Sequence, residues 1–263
     1  MPTFELALST HPGSLRPENQ DSCGRFDETP ERVVFVVADG VGGYEGGKEA
    51  SSLAVEVSLD TFEHNPAHWG AEKRLYRAVQ QANIAVYDRA SFVPELRRMR
   101  TTLTAVAVDG PELYAAHVGD CRLYLAHGED LVQLTKDHTL AAEWGRAALS
   151  RSDPEAERAS RSTLTRCLGS ELIVAVDRIS RTLEAGDVLL LCSDGLYNVL
   201  DPREIHGLAT MRSPADACQA LIEAANEERS PDNVTVAVIR MADDLPPPER
   251  NGVRDRIARI FGR

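Results

Sequence analysis

Apolar and polar positions divide the chain into runs of two kinds. Val33-Val34-Phe35-Val36-Val37-Ala38 is unbroken and mostly β-branched, and it ends abruptly in Asp39-Gly40-Val41-Gly42-Gly43. Such a run predicts a strand buried on both faces, and the glycines after it let the backbone turn sharply and something approach closely. The design recurs where Val188 to Cys192 runs into Ser193-Asp194-Gly195, where Leu113 to Val118 runs into Gly119-Asp120, and where Asp232-Asn233 precedes Val234 to Ile239. Phe4 to Ser9 reads as a first strand. Thr104 to Val108, Glu112 to Val118, Arg122 to Ala126 and Leu131 to Leu134, parted by turn signals such as Asp109-Gly110-Pro111, read as an antiparallel meander. Leu164 to Leu168, Leu172 to Ser180 and Val234 to Arg240 read as further strands.

Helical spacing occupies Lys48 to His64 and Ala71 to Ala90, and later Pro202 to Ala209 and Pro214 to Glu228. Strands in succession, with helices before and after, predict an α+β sandwich rather than a βαβ sheet. Arg16 to Asp21 and the basic Arg97 to Arg100 read as loops. Leu140 to Arg161, rich in Ala, Arg and Glu, reads as a mobile helical excursion and a candidate substrate-facing flap.

Composition narrows the classes. The chain has 263 residues and a hydrophobic content of 43%, enough to fill a real core. A net charge of -12 argues against an electrostatic nucleic-acid binder. Five scattered cysteines without a C-x-x-C suit reduced thiols in a cytoplasm better than disulfides or zinc. Cys192, inside an apolar strand, reads as packing. No signal peptide and no apolar run of membrane-spanning length is seen. Leu245-Pro246-Pro247-Pro248 is a stiff linker. Beyond it, Val253, Ile257, Ile260 and Phe261 share one face of a short basic tail, which is either frayed or a weak docking segment for a partner or an anionic surface.

Four aspartates at strand ends are hard to explain by folding alone. Gathered carboxylates repel one another and need a cation, and oxygen-only ligands favour Mg²⁺, Mn²⁺ or Ca²⁺ over zinc. Asp21 is a further candidate ligand, and Arg16 a candidate fork for a phosphate.

The ordered series Arg16-x-x-Asn19-x-Asp21, Asp39-Gly40-x-Gly42-Gly43, Thr101-Thr102-Leu103, Gly119-Asp120-x-Arg122, Asp137-His138, Leu164-Thr165-Arg166-x-Leu168-Gly169, Ser193-Asp194-Gly195-Leu196 and Asp232-Asn233-x-Thr235 resembles the metal-dependent serine/threonine protein phosphatases of the 2C type (the PPM family), in their bacterial form. The resemblance runs from about Phe4 to Arg240. It implies a four-layer α-β-β-α sandwich, with two central antiparallel sheets flanked by helix pairs and a metal site in a cleft at one edge. It implies a catalytic domain over residues 1–242 and a linker and tail over 243–263.

It also implies two Mn²⁺ or Mg²⁺ ions. Asp39 would bridge them with support from the Gly40 carbonyl, Asp194 and Asp232 would hold the first, and Asp21 would act through metal-bound waters. A third, weaker ion would sit at Asp120 and Asp194, and Arg16 would grip the substrate phosphate. The implied reaction is hydrolysis of phosphoserine and phosphothreonine by a metal-bridged hydroxide attacking phosphorus in line. The implied setting is a monomer in the cytoplasm that reverses a bacterial Ser/Thr kinase. The series departs from animal members at Val41, where those often carry a proposed general-acid histidine, at Gln20 in place of glutamate, and at Cys121 in place of the usual serine. No residue is therefore assigned as proton donor.

Two rivals stand beside this. Gly42-x-x-x-x-Gly47-Lys48, between a buried strand and a helix, is placed like a P-loop, but Glu49 follows where Ser or Thr should bind Mg²⁺. A phosphatase-like binding module without catalysis is the other. For single residues the plain readings are a structural His138, a core His117, Thr102 and Thr235 as β-formers, Arg166 as an ion-pair partner and Asp137 as a turn residue.

Overall fold

The computed structural model describes residues 3–41, 46–66, 68–144, 159–210, 213–243 and 245. The long apolar runs form strands buried on both sides because two sheets stack face to face and each also carries helices. One sheet holds β1 (Phe4–His11), β6 (Arg122–His127), β7 (Asp130–Gln133), β9 (Val188–Cys192) and β10 (Val234–Met241), in the order β1-β10-β9-β6-β7. The other holds β2 (Asp21–Thr29), β3 (Arg32–Asp39), β4 (Leu103–Asp109), β5 (Glu112–Val118) and β8 (Asp177–Thr182), in the order β2-β3-β4-β5-β8. Every pairing is antiparallel.

Alternation along each strand divides the core. In β3, Val33, Phe35 and Val37 face the opposite sheet and meet Leu189, Leu191, Ala237 and Ile239. Val34, Val36 and Ala38 face the other way, onto α1 (Gly47–His64) and α2 (Ala71–Phe92). Leu190, Cys192, Val236 and Val238 face α5 (Pro202–Thr210) and α6 (Pro214–Glu227). The layers are thus helix, sheet, sheet, helix, as the resemblance implies. Helix α6 starts where expected because Pro214 is preorganised for the first turn and the Ser213 hydroxyl accepts the Asp216 N–H. Two short helices are α3 (Leu140–Trp144) and α4 (Asp194–Tyr197), with a 3₁₀ turn at Pro94–Leu96; residues 159–162 are helical as well.

Four expectations are corrected. Strand β2 falls in a stretch not read as a strand. It lies at a sheet edge with alternate residues toward solvent, and its Gly24 lets α1 approach until a Cβ would press on Leu59 and Val55. The expected meander is two hairpins in different sheets, with the chain crossing between them at Gly119-Asp120. Leu164 to Leu168 is not a strand, since Leu164 and Leu168 make only isolated bridges to Thr139 and Thr101. Leu172 to Ser180 becomes a strand only at Asp177, because Asn83 pins the Glu171 and Leu172 carbonyls in a bend. Within Arg97 to Arg100, Met99 is buried in the core beneath α1 and α2.

Of the expected flap, 145–158 lies outside the described residues. So does the tail beyond Leu245, which itself packs against the inter-sheet core. Among the described residues no helix is long and apolar enough to cross a membrane.

Candidate active site

The strand ends bring the aspartates together. Asp21, the first residue of β2, stands opposite Asp39, the last of β3. In the other sheet β9 and β10 are neighbours, so Asp194, just past β9, lies near Asp232, just before β10. Asp21 joins the sheets: its carboxylate accepts hydroxyl bonds of 2.7 Å from both Ser193 and Thr235. Glycine at 119 has φ 114, a left-handed conformation, and a Cβ there would run into Thr102. That tight crossing sets Asp120 in the same cleft.

The Asp39 backbone is clamped. Its N–H donates to Thr102 Oγ1 at 2.9 Å, and its carbonyl accepts from Thr102 N at 2.9 Å and Thr101 Oγ1 at 2.8 Å. Thr102 is therefore a support for the site, beyond its reading as a β-former. Asn233 pins the opposite wall. Its Oδ1 accepts from Gln20 N, and its Nδ2 donates to the Pro12 and Glu18 carbonyls.

Asp39, Gly40, Val41, Asp120, Asp194, Asp232 and Arg16 all line one cleft of about 580 Å³, as do Ser162 and Leu164. Asp21, 1% exposed, sits beneath rather than in the lining. Arg16 on the rim donates from Nη2 to Asp232 Oδ2 at 2.8 Å and from Nε to the Pro231 carbonyl at 3.2 Å.

The electrostatics are those of crowded acids. Burial, then Asp21, Asp194, Asp120 and Asp232, raise the Asp39 carboxyl well above its ordinary value. Asp194 is raised likewise by burial, then Asp120, Asp232 and Asp21, with Arg16 opposing. Burial followed by Asp137 lifts Asp120 to about 7. Burial lifts Asp21 to about 6 against the Thr235 and Ser193 hydroxyls.

Other residues take plain roles. His117 and His138 are buried; Thr104 Oγ1 lies 2.8 Å from His117 Nδ1, and His138 Nδ1 accepts the Gly119 N–H. Arg166 pairs with Asp177 at 2.7 Å. Asp137 does more than turn the chain, since it holds Arg122 through both carboxylate oxygens. Tyr197 was not singled out from the sequence, though its spacing of three from Asp194 places it in the same helical turn.

The P-loop reading does not survive. Strand β3 pairs antiparallel on both sides, and Lys48 Nζ turns back to the Asp21 carbonyl at 2.9 Å and to Ser22.

Fold and cleft together make an α+β sandwich with an acidic cleft that carries an arginine on its rim. Residues 16–235 match the model of the protein phosphatase 2C family. A serine/threonine phosphatase of Listeria welshimeri is 33% identical over 234 residues, covering 88% of this chain and 93% of that one. The protein phosphatase PhpP of Streptococcus pneumoniae is 31% identical over 250 residues, covering 92% and 99%. The crystal structure of the PstP catalytic domain, a serine/threonine phosphatase in complex with two manganese ions, superposes with a TM-score of 0.78 at 31% identity, covering 91% of this chain and 99% of that one. The chain belongs to the protein phosphatase 2C family, and it is an enzyme rather than a binding module.

Proposed function

We propose that the chain removes phosphate from phosphoserine and phosphothreonine in proteins, using two Mn²⁺ or Mg²⁺ ions at Asp39, Asp194, Asp232, Asp21 and the Gly40 carbonyl. The observation that carries the reading is the convergence of Asp39, Asp120, Asp194 and Asp232 with Arg16 in one cleft. The donor set fits hard cations. Burial first, then the neighbouring carboxylates, raise the Asp39 and Asp194 carboxyls, as befits uncompensated acids, and all the donors are oxygens. Among the described residues no group of three or more His, Cys, Asp or Glu side chains is placed to hold an ion unaided.

When bound, the ions neutralise the phosphomonoester dianion and acidify the water that attacks phosphorus. The chain's own residues do the rest. Ser193 and Thr235 orient Asp21 beneath the cleft. Thr101 and Thr102 fix Asp39. Arg16 offers a planar fork to phosphate oxygens, and its present partner, Asp232, is one of the groups a cation would engage. Val41 lines the cleft where a proton-donating side chain would be useful, so no residue here is assigned as general acid.

The setting we infer is a monomeric cytoplasmic domain over 1–242 acting against a Ser/Thr kinase, with 243–263 as linker and weak docking tail. The support is membership of the family.

Hydrolysis of p-nitrophenyl phosphate and of a phosphothreonine peptide tests the reading. Activity is expected with Mn²⁺ or Mg²⁺, none with EDTA, and a near wild-type rate in Lys48→Ala. Metal-independent hydrolysis, or nucleotide hydrolysis that disappears in Lys48→Ala, would overturn it.

A pH dependence follows. In the metal-free protein the raised carboxyls of Asp21 and Asp120 stabilise the fold fully below their ordinary value of 3.8, and that contribution is lost as pH rises through about 6 and about 7. A bound cation holds these groups ionised and must displace their protons. The rise in Tm that Mn²⁺ produces is therefore expected to grow between about pH 5.5 and about pH 8. A rise that is flat across that window would count against these carboxylates as ligands.

A further inference from the structure

Beneath the cleft lies a stack of side chains that the reading above leaves without a task. Asp194 opens the single helical turn of α4 and Tyr197 closes it. The Tyr197 hydroxyl donates to the backbone carbonyl of Asp120 at 3.0 Å. One residue thus ties the turn that carries Asp120 to the helix that carries Asp194, although the two lie 74 positions apart in the chain.

The ring is held from its other side. The Arg122 guanidinium sits 3.6 Å from the Tyr197 ring centroid, a cation–π contact that fixes the ring plane. Arg122 is itself immobilised. Its Nε lies 3.1 Å from both Asp137 oxygens, its Nη2 donates to Asp137 Oδ2 at 2.7 Å, and its Nη1 donates to the Tyr124 hydroxyl at 3.1 Å. A forked pair of this kind fixes direction as well as distance. Burial first, then the charges of Asp120 and Asp194, keep the Tyr197 hydroxyl protonated far above its ordinary range. It stays a donor throughout the working pH range.

We infer that Tyr197 is a positioning residue: braced by Arg122 and Asp137, it sets the separation of the Asp120 and Asp194 carboxylates and so the affinity of the weaker cation between them. The inference rests on the cation reading proposed above. Asp120 and Asp194 are close enough for Asp120 to be the strongest charge acting on Asp194. Strand pairing holds Arg122 against Cys192, two residues from each acid; beyond that ladder the Tyr197 hydroxyl ties the Asp120 carbonyl to α4, so loosening it lets the Asp120 turn shift while Asp39, Asp21 and Asp232 stay in place.

The test is Tyr197→Phe, which keeps the ring on Arg122 and deletes only the hydroxyl. Mn²⁺ alone is titrated into metal-free protein by calorimetry and by Mn²⁺ electron paramagnetic resonance. The tight sites are expected to be unchanged and the weakest class to weaken about fivefold, the scale of one lost hydrogen bond. The Mn²⁺ concentration that half-saturates p-nitrophenyl phosphate hydrolysis should rise by the same factor, with kcat at saturating Mn²⁺ unmoved and the metal-free Tm lower by only about 3 °C, the effect of the one lost bond. Asp137→Asn, which unpins Arg122 from a different direction, should give the same selective weakening.

Uniform weakening of every class in both variants would mark a general structural role and overturn the inference. So would binding unaltered in both, against a wild type that shows a weaker class. A wild type that binds Mn²⁺ without any weaker class would overturn the inference and the third ion together. A wild type that binds no Mn²⁺ would overturn the cation reading itself.

Discussion

Asp39→Asn is expected to lose metal-dependent phosphatase activity by about a thousandfold or more, the scale set by removing a charge that anchors metal or transition-state stabilisation. Asparagine keeps the shape of the side chain and its place at the end of β3, and the clamp on the backbone by Thr101 and Thr102 is untouched. Only the charge goes. That charge is unwelcome in the metal-free protein, where burial and four neighbouring carboxylates push the carboxyl upward. A raised value in the folded state means that the ionised form costs stability at neutral pH.

The variant should therefore be the more stable of the two without metal. The expected gain in Tm is roughly 3 °C, what about 1 kcal/mol produces in a domain of this size. With saturating Mn²⁺ the order should reverse, because wild type gains binding energy that the variant forgoes. This crossing separates a ligand from a structural aspartate. An Asp39→Asn protein that is less stable under both conditions would show that the carboxylate serves the fold, and would sink its place in the site.

Much of this site is legible in the sequence, for a physical reason. A strand buried on both faces must be apolar throughout, so the first acid after Ala38 or Cys192 marks the point where the chain leaves the core. Asp39 and Asp194 announce themselves in that way. Sheet pairing then decides which ends meet, and no local pattern encodes it. The register that sets Asp21 against Asp39 belongs to an edge strand, β2, whose alternating exposure and central Gly24 carry no strong strand signal.

The crossing at Gly119-Asp120 reads locally as a hairpin turn. Only the strand order reveals that β5 and β6 lie in different sheets. Leu164 to Leu168 misleads in the opposite direction. Its residues are apolar enough for a strand, but Gly169, at φ 83, packs against Val86 and the Met99 carbonyl and holds the segment as a bend. Tyr197 was invisible because its meaning lies in a bond to the backbone of Asp120, and a backbone carbonyl has no residue type to notice.

Gly195→Ala is the second large effect, and its cause is space rather than backbone angle. Gly195 has no positive φ, so alanine can adopt its conformation. The added Cβ, however, would drive into the carbonyl of Asn233 and lie 3.3 Å from Val234 Cγ2. The Asn233 turn has nowhere to retreat. Its side chain is bonded to Gln20, Pro12 and Glu18, the Ser230 hydroxyl ties the same turn to the Gly195 carbonyl at 2.8 Å, and Gly13 is packed against the Asp232 carbonyl. The strain must move α4 and the Asp232 turn apart, and these carry Asp194 and Asp232.

Overpacking of this kind costs about 2–3 kcal/mol of stability, and a displacement near 1 Å at a reacting centre costs on the order of a hundredfold in kcat/KM. Gly207→Ala is the matched control. It lies within α5 with nothing inside 4 Å of its Cβ position, and there alanine should be neutral or mildly stabilising. Thermal melts and Mn²⁺-dependent kinetics on the two variants check both expectations. A Gly195→Ala enzyme with wild-type kinetics would mean that the Asp194 and Asp232 turns do not need this contact to hold their spacing.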